Sequence, residues 1–464
     1  MTITYDFVVI GSGVSGGRIA HDLTIGGAKV LLLEAGKRFD RNSFPADEFG
    51  YTAEMFWSGG LEVSKDGSIG MMRGRCLGGT SVLNQADLSR FDELAWDDWR
   101  DRSGIEWFNK DAMDPVYDYL DSTVVHSRIP EHFRNRSAEL FIRALDADGI
   151  GWEPIDRAQS DCRLDQGSDC IVCLGGCPRD SKQSTLVAQI PAAESAGLTV
   201  ETEWRVEKIV ERPFGAVGIH GTHRGQRATA EGREVILAGG AFGNSTLLAN
   251  SGLAKTLPAL GRGFACHPQM MSFGLYDEPV DSHKGALQSV EGHDPRIRGA
   301  GLKLENVFAP PIAIAMLIPG YGQQHHERMR KYRYLSCFEV AIRDENSGTL
   351  TTSRKGALVI DKSLTELDRK KFAQGRQISS ELHAKAGAGE TIFSDQLFGL
   401  HLMGGCALGT DETTSVVDPD FRVHGHPRLR IADSSVFPSA PGINPSYTIM
   451  ALTHLAGVAI LEGR

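Results

Sequence analysis

Nowhere in the 464 residues does an apolar stretch approach the ~18 needed to cross a bilayer. The longest uninterrupted run, Ile312 to Ile318, is fenced by Pro310, Pro311 and Pro319 and reads as a short buried strand. Basic stripes and tails are missing too. With a net charge of −10 and a pI near 5.9, nothing offers phosphate neutralisation, so nucleic acid is excluded as a partner. No secretory leader is legible. An apolar strand begins by about Tyr5, before any charged region or cleavage site, and a cytoplasmic location is expected. Cysteine is scarce, eight residues, yet Cys170, Cys173 and Cys177 lie close together; in that compartment they read as thiols or ligands, not disulfides. Glycine is the exception, at 53 residues against a usual share of ~7%. The length is about three times that of a common domain, so two domains are expected.

Many of the glycines fall in a pattern with chemical meaning. An apolar strand, Tyr5 to Ile10, runs into Gly11-Ser12-Gly13-Val14-Ser15-Gly16. Val14, Ile19 and Leu23 then recur at helical spacing, and a second apolar strand, Lys29 to Leu33, ends in Glu34. This is the dinucleotide fingerprint in its strand–turn–helix–strand setting. Gly11 permits the tight turn, Gly13 lets the backbone approach a pyrophosphate, and Gly16 lets the helix pack against the strand. The helix N-terminus supplies free N–H groups and a partial positive charge. Glu34 is placed to accept hydrogen bonds from ribose hydroxyls and disfavours a 2′-phosphate. By itself the fingerprint does not separate FAD from NAD.

Three further segments do. Residues 73–91 contain Arg75-Cys76-Leu77-Gly78-Gly79-Thr80-Ser81 with Asn84 following. Residues 234–253 run from a strand through Gly239-Gly240 into a helix. From His401 the chain reads His-Leu-Met-Gly-Gly-Cys-Ala-Leu-Gly-Thr, and later Leu429-Arg-Ile-Ala-Asp433-Ser-Ser and Gly442-Ile-Asn444-Pro-Ser-Tyr-Thr448. This ordered series resembles the glucose–methanol–choline (GMC) family of FAD-dependent oxidoreductases. The family's Ser/Thr-Pro pair in the second segment is replaced here by Asn244-Ser245. The resemblance is poor across 106–160 and 269–395.

It implies an α/β FAD-binding domain with a Rossmann-like parallel sheet, and an α+β substrate domain built on an antiparallel sheet. The expected boundaries are 1–105, 190–268 and 398–464 for the first, and 106–189 and 269–397 for the second. It implies oxidation of an alcohol by hydride transfer to flavin N5. His401 is the expected base, since imidazole titrates near working pH, and Asn444 the group orienting the substrate oxygen. Cofactor contacts are expected at Gly11, Ser12, Gly13, Val14, Gly16, Glu34, Arg75, Gly78, Gly79, Thr80, Asn84, Val206, Asp433, Asn444 and Thr448. His267 reads as structural. Leu83 stands where some members attach flavin through histidine, so FAD is expected to be non-covalent.

The electron acceptor is expected to be a quinone, protein or other non-oxygen species; an oxidase making peroxide and a non-redox FAD-containing lyase are the alternatives. Cys170-x2-Cys173-x3-Cys177 offers iron–sulfur spacing. Yet the following Arg179-Asp-Ser-Lys182-Gln-Ser-Thr185 resembles relatives that need no metal, and no cluster is favoured. Thr349 to Ile360 reads as a hairpin, and His325 to Arg333 as a solvated face.

Overall fold

The computed structural model describes residues 5–160, 162, 173–211 and 216–463. Tyr5–Ile10 lies between two parallel neighbours, Val30–Leu33 and the far half of Gln226–Leu237. Thr199–Glu201 and His426–Ile431 extend this parallel set on either side. Val8, Val9, Val30 and Leu32 are fully buried, as expected of strands covered on both faces. The helices Val14–Ile25 and Ser446–Leu461 pack against each other over the sheet. The near half of Gln226–Leu237 runs antiparallel to Val217–His223, which in turn pairs with Trp204–Val210.

A second sheet is organised by the 14-residue strand Arg262–Leu275. It pairs antiparallel with Leu335–Ile342, Leu397–Met403, Glu390–Phe393 and Gly348–Thr352. Beyond Leu335–Ile342 come Leu302–Asn306, Val290–Gly292 and Trp152–Pro154. Side chains alternate between the faces. Leu302, Leu304, Phe338, Val340 and Ile342 bury one face under the helices Arg136–Asp148 and Glu366–Lys385. Alternation therefore puts Glu291, Lys303, Glu305, Glu339, Gln269 and His267 on the other face, towards the nucleotide sheet. No helix among the described residues is long and apolar enough to cross a membrane.

One sequence expectation is corrected, and the expected domain boundaries run across strand pairings. The boundary at 268/269 falls inside the Arg262–Leu275 strand, and Ile69–Met71 and Leu397–Met403 pair within the second sheet although both were placed mainly with the first. Ile312 to Ile318 is helical: Pro311–Leu317 forms a short helix with proline at its start. Its cap comes from across the fold, where Glu48 accepts from Ile312 N–H at 2.7 Å and Ala313 N–H at 3.0 Å. A tertiary carboxylate thus decides what an apolar run alone left ambiguous. The hairpin is present, as Gly348–Thr352 paired with Leu358–Asp361.

Candidate active site

The nucleotide turn is built from backbone. Gly11 has φ +100°, and a Cβ on Gly16 would come within 1.8 Å of the Gly11 carbonyl oxygen. Gly16→Ala is therefore expected to abolish FAD retention and lower the melting temperature, read from the flavin-to-protein ratio and a thermal melt. A Cβ on Gly13 would meet nothing within 4 Å, so space stands open beside it. Val14 begins a helix whose N-cap, Gly13, carries no side-chain cap. A Cβ on Gly79 would come within 2.9 Å of Gly13 Cα, so the second glycine turn abuts the first.

Ser12 ties these turns together. Its Oγ donates to Glu34 Oε2 at 2.6 Å and accepts from Gly78 N–H at 2.9 Å. The other Glu34 oxygen accepts from Gly36 N–H, and burial pushes its carboxyl up. Open space beside Gly13, an uncapped helix N-terminus and two touching glycine turns fit FAD, with pyrophosphate at the helix start.

Other expected contacts hold the cradle's shape. Asp433 accepts from Gly240 N–H, Asn244 Nδ2, and the N–H and Oγ of Ser435. Asn244, the departure from the family pattern, thereby orders the glycine turn through Asp433. Thr448 is fully buried, and its hydroxyl shares a hydrogen bond with that of Tyr117. Thr80 opens the short helix Thr80–Leu83 and Asn84 closes it, accepting from Ala86 N–H. Arg75 lies over the Trp57 ring, and Val206 is half-buried on Trp204–Val210.

His401 sits on the strand Leu397–Met403 with φ +59°, a left-handed conformation rare for a side-chain-bearing residue and costing ~1–3 kcal/mol. Its Nδ1 lies 3.0 Å from Nδ1 of buried His267, whose Nε2 accepts the Gly442 N–H at 3.0 Å. These contacts fix the protons. Neutral His267 has its lone pair at Nε2 and its hydrogen at Nδ1, which it donates to His401 Nδ1. His401 therefore carries its own hydrogen on Nε2.

Burial, then the Lys303 charge, hold His401 down to about 3, so the ring is neutral. His267 is held well below the usual histidine value by burial, by His401 and by Lys303, Arg298 and Arg343. In this arrangement His401 offers its free lone pair to His267 and carries its hydrogen at Nε2. The motif located the residue; the tautomer depends on His267, a contact no local pattern reveals.

Asn444 is 6% exposed, and its Nδ2 donates to Asp87 and to Glu305 at 3.2 Å. That leaves Oδ1 as its remaining acceptor. Beneath it, Glu291, Glu305 and Glu339 stand side by side on three adjacent strands. Lys303 Nζ lies 2.6 Å from Glu291, 3.0 Å from Glu305 and 3.8 Å from Asp87. Burial raises the carboxyls of Asp87, Glu291 and Glu305, against the opposing pull of Lys303. Glu339 is raised well above the usual range, by burial and by the neighbouring Glu305.

None of this polar floor was singled out from sequence. Its trace is the alternation Leu302-Lys303-Leu304-Glu305, with charges at every second position of a strand. Asp87, Glu291 and Glu305 form the one cluster of three potential metal ligands among the described residues, and Lys303 already supplies their positive charge. Cys173 and Cys177 are free thiols, while Cys170 lies outside the described residues. The segment from His325 lies on the exposed helix Gly322–Met329.

A parallel nucleotide-binding sheet roofed by an antiparallel floor, with glycine turns between them, defines a two-domain flavoprotein oxidoreductase. More particularly, the chain belongs to the GMC oxidoreductase family, whose N-terminal model matches residues 52–269 and C-terminal model residues 340–453. It is 29% identical to an uncharacterized GMC-type oxidoreductase of Mycobacterium tuberculosis over 96% of this chain and 74% of the relative. It is 25% identical to the long-chain-alcohol oxidase FAO4A of Arabidopsis thaliana, over 100% of this chain and 69% of the relative. Among solved structures, pyridoxine 4-oxidase from Mesorbium loti superposes with a TM-score of 0.75 at 17% identity, covering 98% of this chain and 99% of the other.

Proposed function

We propose that the chain oxidises an alcohol CH–OH to the carbonyl, with His401 and Asn444 bracketing the substrate oxygen. FAD, when bound, supplies the hydride-accepting chemistry. The hydrogen-bond split at the site carries the rest of the reading. His401 Nε2–H donates to the substrate oxygen and Asn444 Oδ1 receives the hydroxyl hydrogen. An amide oxygen orients a proton but does not keep it. Glu305, which shares the Asn444 amide, is the acceptor we assign. The O–H proton goes to its carboxylate, the carbon gives up hydride, and the C=O bond forms.

Glu305→Gln tests this assignment. The substitution keeps shape and hydrogen bonding but removes the base, so flavin reduction by alcohol is expected to slow by ~10²-fold or more. The pH profile gives a second readout. Burial raises Glu305 above the ordinary glutamate value, so wild-type activity falls as pH drops through that raised value. His401, already neutral, adds no limb near neutrality. In Glu305→Gln the acid limb disappears; an unchanged limb would mean that Glu305 is not the proton acceptor.

FAD is proposed to be held without a covalent bond, since Leu83 is a buried apolar side chain packed with Phe39, Tyr51 and Met55. A non-oxygen acceptor is the reading the sequence favours. The oxidase names among the relatives support oxygen as the second reading. Reoxidation of alcohol-reduced enzyme in an oxygen electrode separates them: rapid oxygen uptake means an oxidase, and its absence means a dehydrogenase.

A further inference from the structure

The stretch Ser181–Leu186 threads between the two glycine turns. Thr185 Oγ1 donates to the Ser12 carbonyl at 2.8 Å, and Thr185 N–H donates to Ser81 Oγ at 3.1 Å. A Cβ on Gly17 would come within 2.4 Å of Thr185 Cβ, and one on Gly78 within 3.0 Å of Leu186 Cβ. The segment is therefore wedged against both turns.

Lys182 is its anchor. It is 1% exposed, and its Nζ donates to the carbonyls of Val82 at 3.0 Å, Asn84 at 2.6 Å and Cys173 at 2.7 Å. Those three bonds use all its hydrogens. No ion pair joins Lys182 to a carboxylate among the described residues, although its charge acts on the nearby buried Cys76 thiol. Three neutral dipoles satisfy the hydrogen bonds but bring no negative charge. The carbonyls it holds belong to residues 82 and 84, at the end of the turn that touches Gly13.

We propose that Lys182 is a positioning residue of the cofactor site, fixing the 78–84 turn and bringing a buried positive charge to the side of the site that takes FAD, an anion. The inference rests on the FAD reading and adds a residue outside the dinucleotide fingerprint and the His401 and Asn444 segments. Lys182 bonds backbone, not substrate, so it acts through the loop it holds and through its charge.

The experiment is an FAD titration of apoprotein prepared from wild type, Lys182→Met and Lys182→Arg, with melts of the apo and FAD-loaded forms. Wild type that takes up no FAD refutes the underlying FAD reading before Lys182 is considered. Given wild-type binding, Lys182→Met is expected to weaken FAD on the order of 10²-fold and to shrink the stabilisation that FAD confers. Its bound flavin should have a more negative midpoint potential, because the lost cation favoured the more negatively charged reduced form. Lys182→Arg, which keeps the charge, should recover part of both effects. Equal losses of apo and loaded stability, with affinity and potential unchanged, would mean a scaffold residue only and overturn the proposal. Should Lys182→Met not fold, Lys182→Gln keeps a donor without the charge and is read by the same two outcomes.

Discussion

Replacing His401 by alanine is expected to slow anaerobic flavin reduction by ~10²–10⁴-fold while leaving FAD bound. The expectation follows from position. The histidine is on the floor strand opposite the nucleotide turns, so its loss opens no gap in the cradle. The variant set also tests the direction of the hydrogen bond. A resting His401 with its hydrogen on Nε2 acts on the substrate oxygen as a donor, and His401→Gln restores an N–H there. Gln should therefore recover a measurable part of the rate lost in His401→Ala. If His401 were the base, Gln would recover nothing, because an amide takes no proton. Stopped-flow bleaching of the flavin reads both variants, and the flavin-to-protein ratio confirms that each is loaded.

Lys303→Met should be the most damaging single change to stability. Lys303 is within ion-pair range of Glu291, Glu305 and Asp87, all largely buried. Removing it strands three acids in the interior, and breaking a buried pair this way costs ~3–5 kcal/mol. The pH dependence has a fixed sign. The acids already have carboxyls raised in the folded state, and losing Lys303 removes the effect that held them down. A carboxyl raised on folding favours the folded state at low pH and opposes it as pH rises. The gap in melting temperature between Lys303→Met and wild type should therefore widen from acid to neutral pH. A gap independent of pH would mean the loss comes from packing of the lysine stem.

The nucleotide half was legible because its chemistry is local. Gly11, Gly13 and Gly16 each answer a steric demand within a few residues, and the strands on either side announce themselves by apolar content. His401 and Asn444 were legible for the same reason, as members of contiguous motifs. Their partners were not. Asp87, the Lys303–Glu305 strand and Glu339 come from three stretches of chain and meet only through the tertiary fold. His267 was read as structural, yet it lies against His401 because Ala265 and Pro268 pair with Met403 and Gly399 across the strands. The apolar run at 312–318 had the wrong period because its length suits either element. Glu48, more than 260 residues earlier, settles the matter.

The strand Arg262–Leu275 is the spine of the substrate floor, and the chain returns to the nucleotide sheet only later, with His426–Ile431. A chain routed this way has no hinge at which its two lobes can be cut apart. Neither lobe can be grafted or expressed alone with a complete sheet, so recombination among relatives must exchange loops and floor side chains while leaving the spine whole. New substrate preferences in such an architecture arise by repainting one face of a shared strand rather than by shuffling modules.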